Sequence, residues 1–305
     1  MNLILHLLFR ICYTMKKSRK RTVFMVEIFL SVYNGEEYLE KQLDSLLSQD
    51  CTDIIITVRD DGSTDRSAEI IGRYIEKYPR KIRRITTHSE DCTEDTSFSE
   101  LMKNAIIGDN DTCYAFCGRG DIWKPDKLSK EMEKMSVLKQ TEGFHTPKLV
   151  CCDGEKGTEI PSVSAYKNLR NDKFTLKQAL AECPLLGGSC LMDRAMLSLC
   201  ANMPGNVDYG WWIAATAAAF GKTVYIPEQY VQYTGQVKES SENFYEQAAA
   251  FLKIFDPKFN PAQRMYVTRY ADCRNAGKLV RVFRIIFGGY LRKGLKKAVK
   301  HIFSC

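Results

Sequence analysis

Apolar runs alternate with amphipathic segments through the first half of the chain. Strands are predicted at Val26–Tyr33, Ile54–Val58 and Cys113–Cys117, because each is a continuous run rich in β-branched or aromatic residues. Helices are predicted at Glu36–Gln49 and, after a Ser/Thr/Asp cap, over residues 66–75, where apolar residues recur at helical spacing. Strands and helices that alternate in this way predict a parallel, doubly wound α/β sheet.

The pattern loosens in the second half of the chain, and the boundaries of the elements become harder to place. Further strands are expected at Ile82–Thr87, Leu149–Cys152, Cys190–Met192 and Thr223–Ile226, and further helices at 98–107, 125–138, 174–182, 211–220 and within 240–305. Residues 155–172 read as a polar loop. We therefore predict three parts: an apolar and basic extension over 1–24, an α/β domain over 25–240, and a basic amphipathic helical extension over 241–305.

The net charge of +7 on 305 residues is concentrated at the two ends. Five Lys or Arg lie between Lys16 and Arg21, and nine more lie from Arg274 to the end without one Asp or Glu. The body between them is mildly acidic, which argues against a nucleic-acid partner. The basic ends are either solvated tails or contacts with an anionic membrane surface. Residues 1–14 are apolar but too short to span a bilayer, and their basic run follows them, unlike that of a signal peptide.

Cysteine usage indicates the compartment. The chain has 12 cysteines, and they are scattered without a CxxC pair, while its 4 histidines are too few and dispersed to complete a zinc site. Reduced thiols in the cytoplasm are the interpretation that we prefer to a disulfide framework, which belongs to small secreted chains. The expected location is therefore the cytoplasm. If the basic ends contact a membrane, the protein is expected to attach peripherally to its inner face.

Two polar turns follow predicted strands. The second strand ends in Arg59-Asp60-Asp61-Gly62, and the strand at Cys113–Cys117 runs into Gly118-Arg119-Gly120-Asp121. Ligands of α/β folds gather outside the carboxyl ends of the strands, so chemistry is expected here. The two carboxylates of the first turn can accept hydrogen bonds from a base or ribose, or they can cap the following helix.

Three motifs in order carry a family resemblance: FLSVYNGEEYLEKQLDSLLSQ, VRDDGSTDRSAEII and GRGDIWKPDKL. Over residues 25–240 the chain closely resembles the family 2 glycosyltransferases, in particular the bacterial rhamnosyltransferase-like branch. The resemblance implies a GT-A fold, a nucleotide-diphosphate-sugar donor, a glycan or lipid-linked acceptor, a divalent Mg²⁺ or Mn²⁺ and an inverting displacement. That chemistry needs a cation at the leaving diphosphate, a base at the acceptor hydroxyl and a pocket for the nucleoside.

The resemblance also implies roles for single residues. Tyr33, Asp60 and Asp61 would line the nucleobase and ribose pocket, and Asp121 would lie at the diphosphate with Arg119. Two further residues, Trp211 and Trp212, would wall the acceptor or sugar pocket, unless both simply pack against the sheet.

The chain departs from the family pattern at its metal and base positions. Where the family reads DQDD the chain has GRGD, so Gly120 stands at the usual metal-ligand position and Asp121 is the remaining carboxylate. Where the family reads HDWW the chain has Gly210 in place of the base. The family's YRQHG reads YTGQV over residues 233–237, without the His.

Three residues offer substitutes for these losses. Asp121 could hold a metal by itself, although a single carboxylate is a weak site without substrate phosphates. Asp208 lies near the base position, although an N-cap is its other interpretation. Arg119 could supply positive charge to a diphosphate, or it could be a solvated side chain. Two functions stay open: an active glycosyltransferase, and a pseudo-glycosyltransferase that binds nucleotide or glycan without turnover. A dinucleotide-binding enzyme is disfavoured, because no Gly-rich phosphate loop follows the first strand.

Overall fold

The computed structural model describes residues 25–51, 53–86, 93–156, 174–182, 185, 187–233 and 244–272. The strands are β1 (Val26–Val32), β2 (Ile54–Asp60), β3 (Ile82–Ile85), β4 (Cys113–Cys117), β5 (Ile122–Trp123), β6 (Lys148–Lys156), β7 (Cys190–Asp193) and β8 (Lys222–Tyr233). The helices are α1 (Leu39–Leu47), α2 (Ser67–Lys77), α3 (Glu94–Lys103), α4 (Lys127–Glu142), α5 (Leu176–Glu182), α6 (Arg194–Cys200), α7 (Tyr209–Phe220), α8 (Phe244–Phe255) and α9 (Pro261–Ala271).

All eight strands form one sheet in the order β3-β2-β1-β4-β7-β6-β8-β5. The half that contains β3, β2, β1 and β4 is parallel, while β7 runs antiparallel to both of its neighbours. In the other half, β6 and β8 are parallel and β5 is antiparallel to β8. Helices cover the sheet, as expected for the GT-A fold, and the predicted α/β class is confirmed.

Strand β1 is buried along its whole length, as its apolar sequence predicts for a central parallel strand. Its one charged residue, Glu27, has no exposed surface but is fully hydrogen-bonded. The carboxylate accepts from Thr57 Oγ1 at 2.5 Å, Arg83 Nη2 at 2.7 Å and the Ile106 N–H at 2.7 Å. Because these partners come from β2, β3 and the loop after α3, the buried carboxylate fixes the register of this half of the sheet.

Helix α7 is the centre of the core on one face of the sheet. Its Ala-rich sequence is buried almost all round. Trp211 stacks on Phe244 at 6.0 Å between ring centroids, and Trp212 meets Phe251 edge-on at 5.1 Å. Helix α8 therefore packs into the same core as the α/β domain. The division that the sequence suggested at residue 240 stays a prediction, but the described part of the C-terminal segment is not detached from that core.

Several element boundaries differ from the sequence-based expectation. Helix α3 begins at Glu94 rather than Phe98, because Thr93 caps it and accepts a hydrogen bond from Thr96 N. Strand β8 runs on to Tyr233 instead of ending at Ile226, since its second part pairs with both β6 and the short β5. Helix α6 was not expected. The predicted N-terminal extension, most of the loop at 155–172 and the basic residues from Arg274 onward lie outside the described residues.

The seven described cysteines are all buried and none forms a disulfide: Cys51, Cys113, Cys117, Cys151, Cys152, Cys190 and Cys200. Burial raises the pKa of the Cys117 thiol well above its ordinary value. The prediction of reduced thiols stays a prediction. None of the described helices is both long and apolar enough to cross a membrane.

Candidate nucleotide site

The predicted site residues meet at the carboxyl ends of β1, β2 and β4, three neighbouring parallel strands. Tyr33 follows β1, Asp60 ends β2, and the turn at residues 118–121 follows β4. The chain leaves β1 toward β2 on one side and reaches β4 on the other, which is the kind of strand reversal where α/β proteins bind ligands. The structure therefore brings these predicted site residues to one edge of the sheet, and their role in binding stays a prediction.

The loops after β1 and β2 are tied together by hydrogen bonds. Asn34, in the left-handed region at φ 46°, accepts from the Thr64 N–H at 2.8 Å and its own N–H donates to Ser63 Oγ at 2.9 Å. Asp60 accepts from the N–H and the hydroxyl of Ser63 at 3.0 and 2.7 Å, and it pairs with Arg84 at 3.0 Å. Asp60 thus orders its own turn, in the manner of the capping alternative, at the rim of the crevice.

Asp61 is a buried carboxylate with a full set of partners. Arg59 Nη1 donates to Oδ1, while Ser31 Oγ and Arg119 Nη2 donate to Oδ2 at 3.1 and 2.8 Å. The guanidinium carbon of Arg119 lies 5.2 Å from the centroid of the Tyr33 ring, which is 40% exposed. Two predicted nucleoside contacts, Tyr33 and Asp61, are therefore both contacted by a third predicted site residue, Arg119.

The turn at 118–121 is held mainly by backbone contacts. Asp121 N donates to Gly118 O at 3.2 Å, and Gly120 has a φ of 79°, a conformation that favours glycine. From helix α1, Gln42 Nε2 donates to Gly118 O at 2.5 Å, and Gly120 N donates back to its Oε1 at 3.4 Å. A buried amide one helix away thus fixes the shape of the turn. Sequence reasoning missed Gln42, although its position beside Leu39, Leu43 and Leu46 on an apolar face was a usable signal.

The segment after the turn is equally well anchored. Gln49 at the end of α1 donates to Lys124 O at 2.8 Å and accepts from Leu128 N at 3.1 Å. Lys127 Nζ lies 4.0 Å from the centroid of the Trp123 ring and pairs with Glu131 at 2.7 Å, with neither charged side chain exposed. Trp123 is itself buried. The IWKPDKL segment is therefore a structural frame beneath the site.

Asp121 points into the protein rather than into the crevice. Its Oδ2 accepts from the Gly118 N–H at 2.9 Å, and the residue is 6% exposed. Burial, helped by the neighbouring Glu94 carboxylate, raises the pKa of Asp121 to about 8. Near neutral pH most copies therefore carry a proton on this carboxyl, which weakens it as a metal ligand.

Glu94 is the acidic residue that sequence reasoning missed. It lies in the first turn of α3, and its Oε1 accepts from the Arg119 N–H at 3.3 Å. A Cβ built on Gly118 would come within 3.0 Å of that same oxygen and 2.9 Å of Asp121 Oδ2. The space that a side chain at position 118 would take is thus filled by two carboxyl groups from elsewhere. The signal available in the sequence was the Thr93 cap with its acidic first turn.

The carboxylates present do not fit a divalent metal held by the protein. Among the residues that the structure describes, no group of three or more His, Cys, Asp or Glu is arranged around one point. Asp121 is buried and bonded to the Gly118 N–H, and Gly120 offers no ligand. Mg²⁺ in such sites is held by one or two carboxylates together with substrate phosphates and waters, so an ion here would depend on the substrate for most of its ligands.

The base position expected from the resemblance lies in the first turn of α7. Gly210 is buried there, and Asp208 is the N-cap, accepting from the Trp211 N–H at 2.7 Å. Asp95 accepts from the neighbouring Tyr209 N–H at 3.1 Å. Asp208 therefore caps the start of the helix, as the capping interpretation predicts.

Trp211 and Trp212 do not wall a pocket in this structure. Neither side chain has exposed surface, and Trp211 Nε1 donates to Leu180 O at 3.0 Å inside the core. The geometry supports the packing alternative for both residues, because their rings are enclosed by α8. The acceptor-pocket role would require the core to open.

Comparisons with known proteins identify a family for part of the chain. The family model for Glycosyl transferase family 2 matches residues 27–138. Mycobacterium tuberculosis Rv1520, an uncharacterized protein, is 27% identical over 205 residues, 66% of this chain and 56% of that protein. The Shigella flexneri dTDP-rhamnosyl transferase RfbG is 30% identical over 104 residues, 34% of this chain and 36% of its own length. The chain thus spans little more than half of the first relative and about a third of the second.

A solved structure shows the same fold. The mannosyltransferase PcManGT from Pyrobaculum calidifontis, in complex with GDP-Man and Mn²⁺, superposes with a TM-score of 0.53 at 16% identity. The match covers 92% of this chain and 85% of that one. At this identity the likeness concerns the path of the backbone.

Proposed function

Because the chain belongs to the family 2 glycosyltransferases, we propose that it transfers a sugar from a nucleotide-diphosphate donor to a glycan or lipid-linked acceptor in cell-surface polysaccharide synthesis. The observation that carries this proposal is the convergence of Tyr33, Asp61 and the turn at 118–121 on one crevice at the carboxyl ends of β1, β2 and β4. The identity of the donor sugar and of the linkage is left open by these residues.

Each residue of the crevice has a proposed role in binding the donor. We assign the base to the ring of Tyr33, which is 40% exposed, and the base or ribose to Asp60 and Asp61, whose buried carboxylates pair with Arg84 and Arg119 in this structure. Arg119 and Asp121 lie nearer the sugar-phosphate end, on the turn after β4. Transfer with inversion then needs a base that takes the proton of the acceptor hydroxyl as the new bond forms.

Glu94 is the carboxylate that we assign to that proton transfer. It is half-buried at the start of α3, between the turn at 118–121 and the first turn of α7 where Gly210 lies. Burial raises the pKa of the neighbouring Tyr209 well above its ordinary value, and among the charges that add to this shift the contribution of Glu94 is the largest. We therefore assign to Glu94 the role that Gly210, which has no side chain, cannot fill.

The experiment measures release of nucleoside diphosphate from a panel of UDP-, dTDP- and GDP-sugars, with and without acceptor glycan. We expect turnover by the native chain and a loss of roughly 100-fold or more in Glu94→Gln, the usual scale for removing a general base. Nucleotide binding by Glu94→Gln should be retained. Glu133→Gln, an exposed acid on α4, is the matched control and should keep full activity. Equal turnover in Glu94→Gln would remove Glu94 from the mechanism.

A second candidate function is a pseudo-glycosyltransferase that binds nucleotide or glycan without turnover. The specific support is that Gly120 and Gly210 carry no carboxylate while Asp95 and Asp208 accept hydrogen bonds from backbone N–H groups of α7. Turnover by the native chain refutes this candidate. Turnover that appears only in Gly120→Asp plus Gly210→Asp favours it, and the φ of 79° at residue 120 means that this variant must pay some backbone strain.

Two further parts of the proposal concern a metal and a membrane. If the chain is active, Mg²⁺ or Mn²⁺ is the family's expected ion, and turnover measured in excess EDTA decides whether this chain depends on one. The basic residues from Arg274 onward suggest attachment to an anionic membrane surface from the cytoplasmic side. A chain ending at Asn275 should then sediment less with phosphatidylserine vesicles than the full chain; equal sedimentation would refute the attachment.

A further inference from the structure

Arg119 lies across the place proposed for the nucleoside. Its Nη2 donates to Asp61 Oδ2 at 2.8 Å, and its guanidinium carbon lies 5.2 Å from the centroid of the Tyr33 ring. The side chain is 25% exposed, so it forms part of the crevice surface. A base cannot stack on Tyr33 over the same area, nor a ribose reach Asp61, while the guanidinium stays there.

Asp61 can release Arg119 without becoming an isolated buried charge. Its side chain has no exposed surface, but Arg59 pairs with the other carboxylate oxygen from the same strand end. Ser31 Oγ also donates to it at 3.1 Å. Because this ion pair and this hydrogen bond remain, Asp61 loses only one of its several partners when Arg119 moves away. A hydroxyl or N–H group of a ligand can then donate to the oxygen that Arg119 has left.

Two features of Arg119 favour movement of its side chain: flexible neighbouring residues and an unsatisfied hydrogen-bond donor. Glycines flank it on both sides, and one of them, Gly120, already has a φ of 79°. Its Nε is buried and has no hydrogen-bond partner among the described residues, so the present position leaves one of its donors unsatisfied. A phosphate group offers a guanidinium two parallel charge-assisted hydrogen bonds, which a single oxygen of Asp61 does not.

We propose that Arg119 is the phosphate-binding residue of this site and moves between two positions. Without nucleotide it covers Tyr33 and Asp61; a nucleoside diphosphate draws the guanidinium onto its phosphates and thereby uncovers both residues for the nucleoside. The charge that balances the diphosphate then comes from the protein's own cation, where the carboxylates do not fit a protein-held divalent metal. This inference rests on the proposed nucleotide site, and it is independent of whether a sugar is transferred.

The test compares a nucleoside diphosphate with its nucleoside in EDTA, on the full chain. A thermal-shift screen of UDP, dTDP, GDP and CDP selects the probe, and isothermal titration then measures that diphosphate and the corresponding nucleoside. The native chain should bind the diphosphate at least about 10-fold more tightly than the nucleoside, as expected for charge-assisted hydrogen bonds. Arg119→Ala should lose that preference: diphosphate binding falls about 10-fold or more, while nucleoside binding stays equal or becomes tighter.

Two variants complete the design. Arg119→Lys keeps the charge but loses the bidentate geometry, so it should restore only part of the preference. Arg66→Ala removes an exposed arginine that pairs with Glu69 and should change nothing. Circular dichroism and the thermal midpoint establish that each variant is folded.

The outcomes separate this inference from the proposed function. An unchanged diphosphate-to-nucleoside ratio in Arg119→Ala overturns the inference, as does a preference in the native chain that disappears in EDTA and returns with Mn²⁺. Failure of the native chain to bind any of the four diphosphates overturns the nucleotide site and with it both proposals. Metal-independent, Arg119-dependent binding without sugar transfer supports the inference and favours the pseudo-glycosyltransferase.

Discussion

Replacing Lys127 with Met tests whether the frame beneath the crevice depends on a buried ion pair. Lys127 Nζ and Glu131 Oε2 are 2.7 Å apart, neither side chain is exposed, and the ammonium also lies 4.0 Å from the centroid of the Trp123 ring. The variant leaves Glu131 buried without its partner, so about 3–5 kcal/mol of unfolding free energy should be lost. Against a typical total of roughly 5–15 kcal/mol, that loss is large.

The assay is urea unfolding followed by tryptophan fluorescence, with Lys127→Met, Glu131→Met and the double variant measured together. The double variant removes both charges and should recover to within about 1 kcal/mol of the native chain or exceed it, because the buried charge is gone. Lys134→Met, at an exposed position on the same helix, is the control and should change stability by less than about 0.5 kcal/mol. A single variant as stable as this control, or a double variant as unstable as the sum of the two singles, would refute the reasoning.

Three further predictions concern the turn after β4. Gln42→Ala leaves the buried Gly118 carbonyl without its amide partner, so it should cost about 1–3 kcal/mol in urea unfolding and weaken nucleotide binding by titration; unweakened binding would mean that the turn keeps its shape alone. Gly188→Ala places a Cβ against Asp121 Oδ2 and should destabilise by about 1–3 kcal/mol, whereas a neutral effect would show that Asp121 moves aside. Because the pKa of Asp121 is raised from 3.8 to about 8, the stability that its protonated form gives is complete below pH 4 and lost as the pH rises through 8. Asp121→Asn should therefore unfold at a higher urea concentration than the native chain at pH 9 but not at pH 5, and parallel curves at the two pH values would contradict the shift.

The elements that sequence reasoning located best are those whose burial is uniform. Strands β1, β2 and β4 are continuous apolar runs, and their order with the intervening helices was enough to predict where the crevice would form. Strand β8 was cut short because its second part, PEQYVQY, mixes exposed and buried residues, and its pairing with β5 and β6 is decided by tertiary structure. The start of α3 was misplaced because the cap at Thr93 outweighs the lack of apolar residues in the first turn.

Within the site, sequence reasoning could name residues but not their partners. The turns that hold Asp61 and Arg119 are separated by 58 positions in the chain, and nothing local in either motif indicates that the two side chains pair. Glu94 reaches the turn only because Gly118 leaves room for it, a relation between two elements that spacing along the chain does not encode. The burial of Trp211 and Trp212 depends on α8, whose packing against α7 was not foreseen.

The amide of Gln42 binds the turn after β4 through main-chain atoms, Gly118 O and Gly120 N. Because main-chain atoms hold this conformation, the shape of the turn depends little on the side chain at position 119. That side chain, and with it the chemistry of the turn, can therefore change while the backbone stays the same. Substitutions at position 119 can thus add or remove a ligand on an unchanged backbone, whereas a side chain at 118 would meet Glu94 and Asp121, and residue 120 is left-handed. For protein engineering, the turn is therefore a place where a different ligand side chain can be introduced without redesign of the surrounding fold.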